Sequence, residues 1–352
     1  MKDFNFRTAA AEAERKVLAE MRENGRVVGF EFDGEAVISE MVGTADGAKE
    51  FLEKITYDLA TGQQSVPLLY KSIYETRTDA NFPMVMTEKS FGNVETVFLE
   101  KFEGGEIKFG SIGAGQESTV RLHTWASAME YDEDIVEYNQ TWRVSQIGES
   151  FGVSYNNLLN HLHLDPIING VYDTANAVDA ATATTTDIAN AIKRQTGDET
   201  TAGVAQVVEG DLGDAATWKA VAQILPRGSV LLHSSYDELT IRNTLATDIL
   251  VNGQVSPTSQ KVSSYEFIAY DGVSFKVGAD EYNYPGVDIG EAYVVTPKGQ
   301  FKELIKHDLR VDTGDGDLSR LIVAQIVARA RRGLLAGLGG ADGAVKVQPV
   351  TP

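Results

Sequence analysis

The chain has 352 residues, no cysteine, 31 Lys and Arg against 51 Asp and Glu, and a formal charge of -20. The missing cysteines exclude disulfides, thiolate catalysis and thiolate metal sites. The acidic balance disfavours a tight nucleic-acid binder, which needs a basic face, and docking on an anionic membrane surface.

A hydrophobic content of 43% supplies a sizeable core, and the length suits two or three packed units. The opening "MKDFNFRTAAAEAERK" alternates charge and lacks the apolar stretch of a secretion signal. No apolar run approaches the roughly 20 residues of a membrane span, and the longest, "LIVAQIVA" (321–328), reads as a buried strand.

In chain order, Phe6 to Glu23 reads as an amphipathic helix with Phe6, Ala10, Ala13, Val17 and Met21 on one stripe, stopped by Asn24-Gly25. "RVVGFEF", Asp33-Gly34 and "EAVISEM" read as a hairpin. A second helix is expected over about 45–60, with Phe51, Leu52, Ile55 and Leu59 inward. Residues 66–83 read as a connecting arm broken at Asn81-Phe82-Pro83.

"VETVFLEKF" (94–102) and "STVRLHTWASAMEY" (118–131) have strand character. Between them lies a stretch with Gly104, Gly105, Gly110, Gly113 and Gly115. An isolated two-stranded arm of this kind is marginal in water, so a neighbour is expected to cover it. Residues 132–163 read as a long helix that Gly148 and Gly152 bend or break, with Pro166 marking its end.

Residues 173–205 are Ala/Thr-rich and weakly patterned, with one helix expected in "AATATTTDIANAIKRQ". "DAATWKAVAQIL" and "SYDELTIRNTLA" read as helices and "RGSVLLHS" as a strand. "EFIAYDGVSFKVG" reads as two strands about an Asp271-Gly272 turn, and "EAYVVTP" as one more. The close is β-rich, through "GQFKELIKHDLRVD", a "TGDGD" turn, "LSRLIVAQIVARARR" and "AVKVQPV". No internal repeat and no repeated βα alternation is evident.

Few motifs carry chemistry. Gly148-Glu149-Ser150-Phe151-Gly152 matches G-x-S-x-G, which would make Ser150 the nucleophile of a serine hydrolase. That elbow needs a buried strand turning sharply into a helix, and the preceding "TWRVSQI" reads as helix. His161, His163 and Asp165 could ligate a metal on a strand, but on a helix i and i+2 diverge. His123, His233 and His307 have no acid–base partners near them in sequence. Asp312, Asp315 and Asp317 resemble a calcium loop only loosely and suit a solvated turn better. "GSIGAG" is not a dinucleotide loop, and no phosphate loop is present. No catalytic, cofactor or metal residues are therefore expected, and no enzyme.

The order of parts, with the wording "EGGEIKFGSIGAGQES…TWASAMEYDEDI", resembles the major capsid proteins of tailed bacteriophages, whose fold encapsulins share. The resemblance implies an α+β phage major capsid fold: an N-terminal arm (1–85), an extended β-hairpin loop (86–131), a peripheral domain with a spine helix (132–172 plus 296–352) and an axial domain (173–295). It implies self-assembly into hexamers and pentamers of an icosahedral head. That head would enclose double-stranded DNA without sequence-specific binding, form in the bacterial host cytoplasm, and use scaffold, portal and decoration proteins as possible partners. The alternatives are an encapsulin-type nanocompartment shell and, from another class, the Ser150 hydrolase.

Overall fold

The computed structural model describes residues 18–23, 26–32, 45–89, 117–132, 137–138, 140–197, 203–247, 250–251, 254–255, 265–277, 280–315, 322–340 and 342–350. The expectations for residues 1–17, 33–41, the 94–102 strand, the glycine-rich stretch 103–116 and Asp317 lie outside them. In chain order the elements begin β1 (Leu18–Glu23), β2 (Arg26–Phe32), α1 (Ala45–Ser65), a 3-10 turn (Leu69–Ser72), β3 (Glu75–Thr78), β4 (Val85–Lys89), β5 (Glu117–Arg121), β6 (His123–Asp132) and α2 (Thr141–Ile168). Then come β7 (Tyr172–Asp179), α3 (Thr185–Thr196), β8 (Ala205–Glu209), α4 (Ala215–Ile224), β9 (Val230–His233), α5 (Glu238–Thr247), β10 (Leu250–Val251) and β11 (Gln254–Val255). The last are β12 (Glu266–Ala269), β13 (Gly272–Val277), β14 (Asp280–Pro285), β15 (Ala292–Val295), β16 (Phe301–Asp315), β17 (Ile322–Ala336) and β18 (Ala344–Gln348). The class is α+β, and the chain divides into two compact units.

The first unit takes residues up to Leu68, Thr124–Leu159 and Asp308–Arg331. Its β1 and β2 pair antiparallel from Leu18↔Phe32 to Glu23↔Arg26. This corrects one expectation, since 18–23 is strand rather than helix and pairs with β2; the hairpin expected across Asp33-Gly34 lies outside the described residues. Asn-Gly is the dipeptide that two-residue hairpin loops favour, and a helix-stop reading of Asn24-Gly25 competes with it on equal terms. Helix α1 runs longer than expected and buries Ile55 and Leu59. It lies against α2, whose Asn156 Nδ2 donates to the carbonyls of Gln63 and Val66, at 2.6 and 2.8 Å. Lys54 forms a buried pair with Asp58 and also donates to Ser145 Oγ.

The second unit takes Leu69–His123, Asn160–His307 and Arg332 onward. It is built on a six-stranded sheet in the order β12-β9-β15-β18-β8-β7. Pairing is parallel between β12 and β9, β18 and β8, and β7 and β8. Only β15 runs against its neighbours. The succession β7-α3-β8-α4-β9-α5 is the βα alternation that the sequence did not display. Two of its strands escaped notice, because β7 exposes Thr174–Asn176 and β8 abuts the weakly patterned stretch. Ile188, Trp218, Val221 and Ile241 from the helices pack on Val208, Leu231, Val294, Val345 and Val347 from the sheet.

Helix α3 starts at a capping box, with the Thr184 hydroxyl accepting from Asp187 N and Asp187 Oδ2 accepting from Thr184 N. It stops at Gly197, whose φ of 72° a side chain disfavours.

Three more expectations change. Residues 66–83 are no loose arm, since Tyr70, Ile73 and Tyr74 are buried and β3 pairs parallel with β16. Helix α2 does not end before Pro166 but carries it in its last turn, so that the ring costs the helix the single backbone bond to the Leu162 carbonyl near its end. β12 and β13 do not form a hairpin about Asp271-Gly272; β12 joins β9 and β13 pairs with β14. Gly272 (φ 76°) lets the chain change partner there, and the Asp271 carboxylate accepts from Ser234 Oγ and Ser235 N.

The fully buried Gln195 side chain ties the second unit's α3 to its C-terminal segment. Its Nε2 faces the carbonyls of Leu338, Gly340 and Ala344 at 3.0–3.3 Å, and its Oε1 accepts from Gln206 N at 2.7 Å. Gln195→Leu keeps the volume and leaves the Gln206 amide without its acceptor. A loss of about 3 kcal/mol is expected, read as a lower urea midpoint at unchanged slope.

Candidate functional site

The G-x-S-x-G stretch lies in the middle of α2, with no strand-to-helix turn. Its glycines answer to packing. A Cβ on Gly148 would come 2.7 Å from Asp58 Cβ, one on Gly152 2.1 Å from the Leu59 carbonyl oxygen, and one on Gly62 of α1 2.0 Å from the Glu149 carbonyl oxygen. Residues four apart share a helix face, so the two glycines let α1 and α2 touch backbone to backbone. The helix runs through them without a break. Ser150 points to solvent between them. Burial pushes the Asp58 carboxyl up, against the lowering effect of Lys54.

His161, His163 and Asp165 are not brought together. His161 stacks on Tyr284 with centroids 4.4 Å apart, and burial pushes it down, against the raising effect of Asp165. Asp165 accepts from Asn169 Nδ2 at 2.8 Å. His233 Nδ1 lies 2.8 Å from the Ser234 carbonyl, which can only accept, so that nitrogen carries the proton. Ser234 Oγ donates to Asp271 rather than to this histidine, so no nucleophile–base pair forms. Asp312 pairs with Arg329 at 2.8 Å, and Thr313–Asp315 continue β16 instead of turning. Among the described residues no group of three or more His, Asp or Glu is placed to hold a metal ion. No helix among them is long and apolar enough to cross a membrane.

His163 enters a cluster that sequence spacing did not suggest. Glu303 of β16 is 1% exposed on its side chain, and His163 Nε2 lies 3.1 Å from its Oε1. Arg332 of β17 donates to the same oxygen, and Thr76 Oγ1 of β3 donates to Oε2 at 2.9 Å. The Tyr70 ring stacks on the His163 ring at 3.5 Å, and Tyr74 meets it edge-on and donates its hydroxyl to the His163 carbonyl. Burial alone would raise the Glu303 carboxyl; His163 and Arg332 outweigh it and hold the group at about 2. The Tyr74 hydroxyl is pushed up by burial and by Glu303. With Glu303, His163 and Arg332 all buried, the cluster offers substrate no approach, and its chemistry is that of a clamp. The one trace in sequence is a charged residue at the alternate position between Phe301 and Ile305, both buried.

Unpartnered apolar surface gathers elsewhere in this unit. Tyr236 and Leu239, after β9, are 75% and 69% exposed; Ile289, before β15, is 66% exposed, and Val350, after β18, is 55% exposed. Asp237 Oδ2 accepts from Gly290 N at 2.7 Å, and a Cβ on Gly290 would stand 3.4 Å from Pro349 Cγ. Those contacts set the three segments side by side at one end of the central strands β9, β15 and β18. The neighbouring acids are engaged locally: Asp214 caps α4, and Asp179 and Asp211 accept from the amides of Ala181 and Gly213.

No protein-family model matches the chain, and no curated protein matches it. Solved structures do. A chain from Mycobacterium phage Adephagia is similar over 81% of this chain and 91% of its own, at 14% identity and a TM-score of 0.43. The virus-like particle from Pyrococcus furiosus covers 85% of this chain and 100% of its own, at 8% identity and 0.46. The capsid of Myoviridae phage XM1 covers 81% and 92%, at 13% identity and 0.43.

Two outcomes follow from this geometry. Gly152→Ala gains about 1 kcal/mol of helix propensity, but its methyl has to displace a carbonyl, and overpacking costs about 1–3 kcal/mol or more. A lower thermal midpoint is expected, whereas Ser150→Ala should melt like the parent, and the parent should resist a fluorophosphonate probe. Glu303 has a folded value below its ordinary 4.5, so its contribution is fully present above about 4.5 and is lost as pH falls towards about 2. The shift corresponds to about 3 kcal/mol. In an acid titration followed by near-UV circular dichroism, Glu303→Gln should start less stable at neutral pH and lose less between pH 4.5 and 2.

Proposed function

We propose that this chain is the major capsid protein of a tailed bacteriophage, forming hexamers and pentamers that close an icosahedral head around double-stranded DNA. The observation that carries the reading is the apolar strand-end surface of Tyr236, Leu239, Ile289 and Val350, which one subunit leaves in water. Large apolar side chains exposed together on adjoining segments mark a site for another molecule, and a self-assembling chain supplies that molecule itself. The buried charged cluster at Glu303 is closed to substrate, which favours a building role over a catalytic one. The net charge of -20 suits a wall that repels packed DNA and does not hold it.

In this reading 1–85 is the N-terminal arm, 86–131 the extended loop, 132–172 with 296–352 the peripheral domain, and 173–295 the axial domain. The foot of the loop is β4 and β5, which pair from Val85↔Arg121 to Lys89↔Glu117. It is rooted where Val120, Leu122 and Leu304 pack with Phe82 and Met86. Scaffold, portal and decoration proteins are the partners such a head would meet, and the virion is its place.

Electron micrographs of the purified chain test the reading. Closed shells of uniform diameter are expected, and a chain that stays monomeric at every concentration would overturn it. Replacing Lys101–Gln116 by a short Gly-Ser turn should leave the melt of the free subunit within a few degrees of the parent while shells fail to close.

A further inference from the structure

A six-stranded sheet has two edges, and an edge presents a row of free backbone donors and acceptors on which another strand can form. One edge here is β12, of only four residues, with the Arg242 guanidinium stacked 3.9 Å over its Phe267 ring. The other edge is β7. Its register with β8 runs Tyr172↔Ala205 and Asp173↔Gln206, then jumps to Val178↔Val208 and Asp179↔Glu209. Four residues, Thr174–Ala177, therefore stand opposite the single Val207.

This excursion is tied down at both ends. Asp173 Oδ1 accepts from Asn176 N at 3.2 Å, and its carboxylate also takes Asn176 Nδ2 at 3.0 and 3.1 Å. From α3, Arg194 NH2 donates to the Asn176 carbonyl at 3.2 Å, its Nε donates to Gln206 Oε1 at 3.2 Å, and it lies 3.9 Å from Asp173. Thr174, Ala175 and Asn176 are exposed, while Val178 re-enters the core at 4% exposure. The excursion adds no apolar burial and consumes backbone groups that a straight strand would offer outward. Bulges of this kind twist or block an edge.

We infer that Thr174–Ala177, held by Asp173 and Arg194, closes this sheet edge to strand addition by a second copy of the chain. The partner excluded is chemically definite: the β12 or β7 edge of another subunit, whose backbone would hydrogen-bond to a bare β7. An edge-to-edge join of β7 with β12 is head-to-tail, and such a join generates open fibres rather than closed rings unless its rotation happens to close. The excursion thus leaves side-chain surfaces, such as that of Tyr236, Leu239 and Ile289, as the means by which copies meet.

The test shortens the excursion in the full chain. Thr174–Ala177 is replaced by one serine, which restores one-to-one register with Gln206, Val207 and Val208, and in a parallel variant by one lysine. The serine variant should associate into open fibres or sheets, seen in micrographs and as an intermolecular β band in the infrared amide region, at concentrations where the parent shows neither. The lysine variant should suppress that band at least several-fold, because charge on an edge blunts pairing. A folded serine variant without the band overturns the inference, as does equal association of the serine and lysine variants. If the shortened chains fail to melt cooperatively, Asp173→Ala with Arg194→Met loosens the excursion at full length. A folded double variant with no more intermolecular β signal than the parent is then the contrary result. Closed shells are read separately on the parent, so loss of the head reading and loss of the edge inference give different micrographs.

Discussion

The second unit turns on one carboxylate. Glu303 gathers a helix through His163, a strand through Arg332, another strand through Thr76, and a 3-10 turn through Tyr70. Its desolvation would be prohibitive alone, since an unpaired buried carboxylate neutralises itself or unfolds its surroundings. His163, Arg332 and the Tyr70 hydroxyl on Oε1, with the Thr76 hydroxyl on Oε2, compensate it. A buried ion cluster of this sort is weak evidence for net stability against an apolar replacement. Its stronger effect is on choice of structure. Few alternative packings of 69–76, 163, 303 and 332 would satisfy that carboxylate, whereas an apolar side chain there would tolerate many.

The same logic of excluded alternatives runs through the first unit. Gly62, Gly148 and Gly152 bring two helix backbones closer than any side chain allows, so α1 has one place to lie on α2. The polar links nearby, from Asn156 to the carbonyls of Gln63 and Val66, then satisfy groups at the end of α1 that tight packing shuts off from water.

How much of this could be read beforehand depends on the range of the cause. Ile55 and Leu59 on α1 and the strand Val230–His233 are local, and periodicity or composition reveals them. Glu303 and His163 are 140 positions apart in number, and no local pattern joins them. Val207 and Val208 of β8 are fully buried, yet their strand abuts polar Ala/Thr-rich chain and a polar edge strand, so alternation is lost at the sheet margin. Leu18–Glu23 differed for another reason: a few apolar residues at helical spacing are also found in a short strand, and only the pairing partner β2 decides. The G-x-S-x-G match fared similarly, because two glycines four apart suit a strained elbow and a helix crossing alike.

The place of β18 bears on the timing of synthesis. This strand, the last among the described residues, sits in the interior of the six-stranded sheet, between β15 and β8, and carries Val345 and Val347 of the core. A ribosome releasing the chain from its N-terminus exposes β7, β8, β9 and β15 long before the strand that joins their two halves. Until residues 344–348 emerge, β8 and β15 have a gap between them, and the halves cannot close on one another. Completion of the sheet therefore waits on a pairing of high sequence separation, which is slow to form. Any message that terminates early yields a chain unable to seal its own sheet, which leaves it as a substrate for proteases rather than a building block.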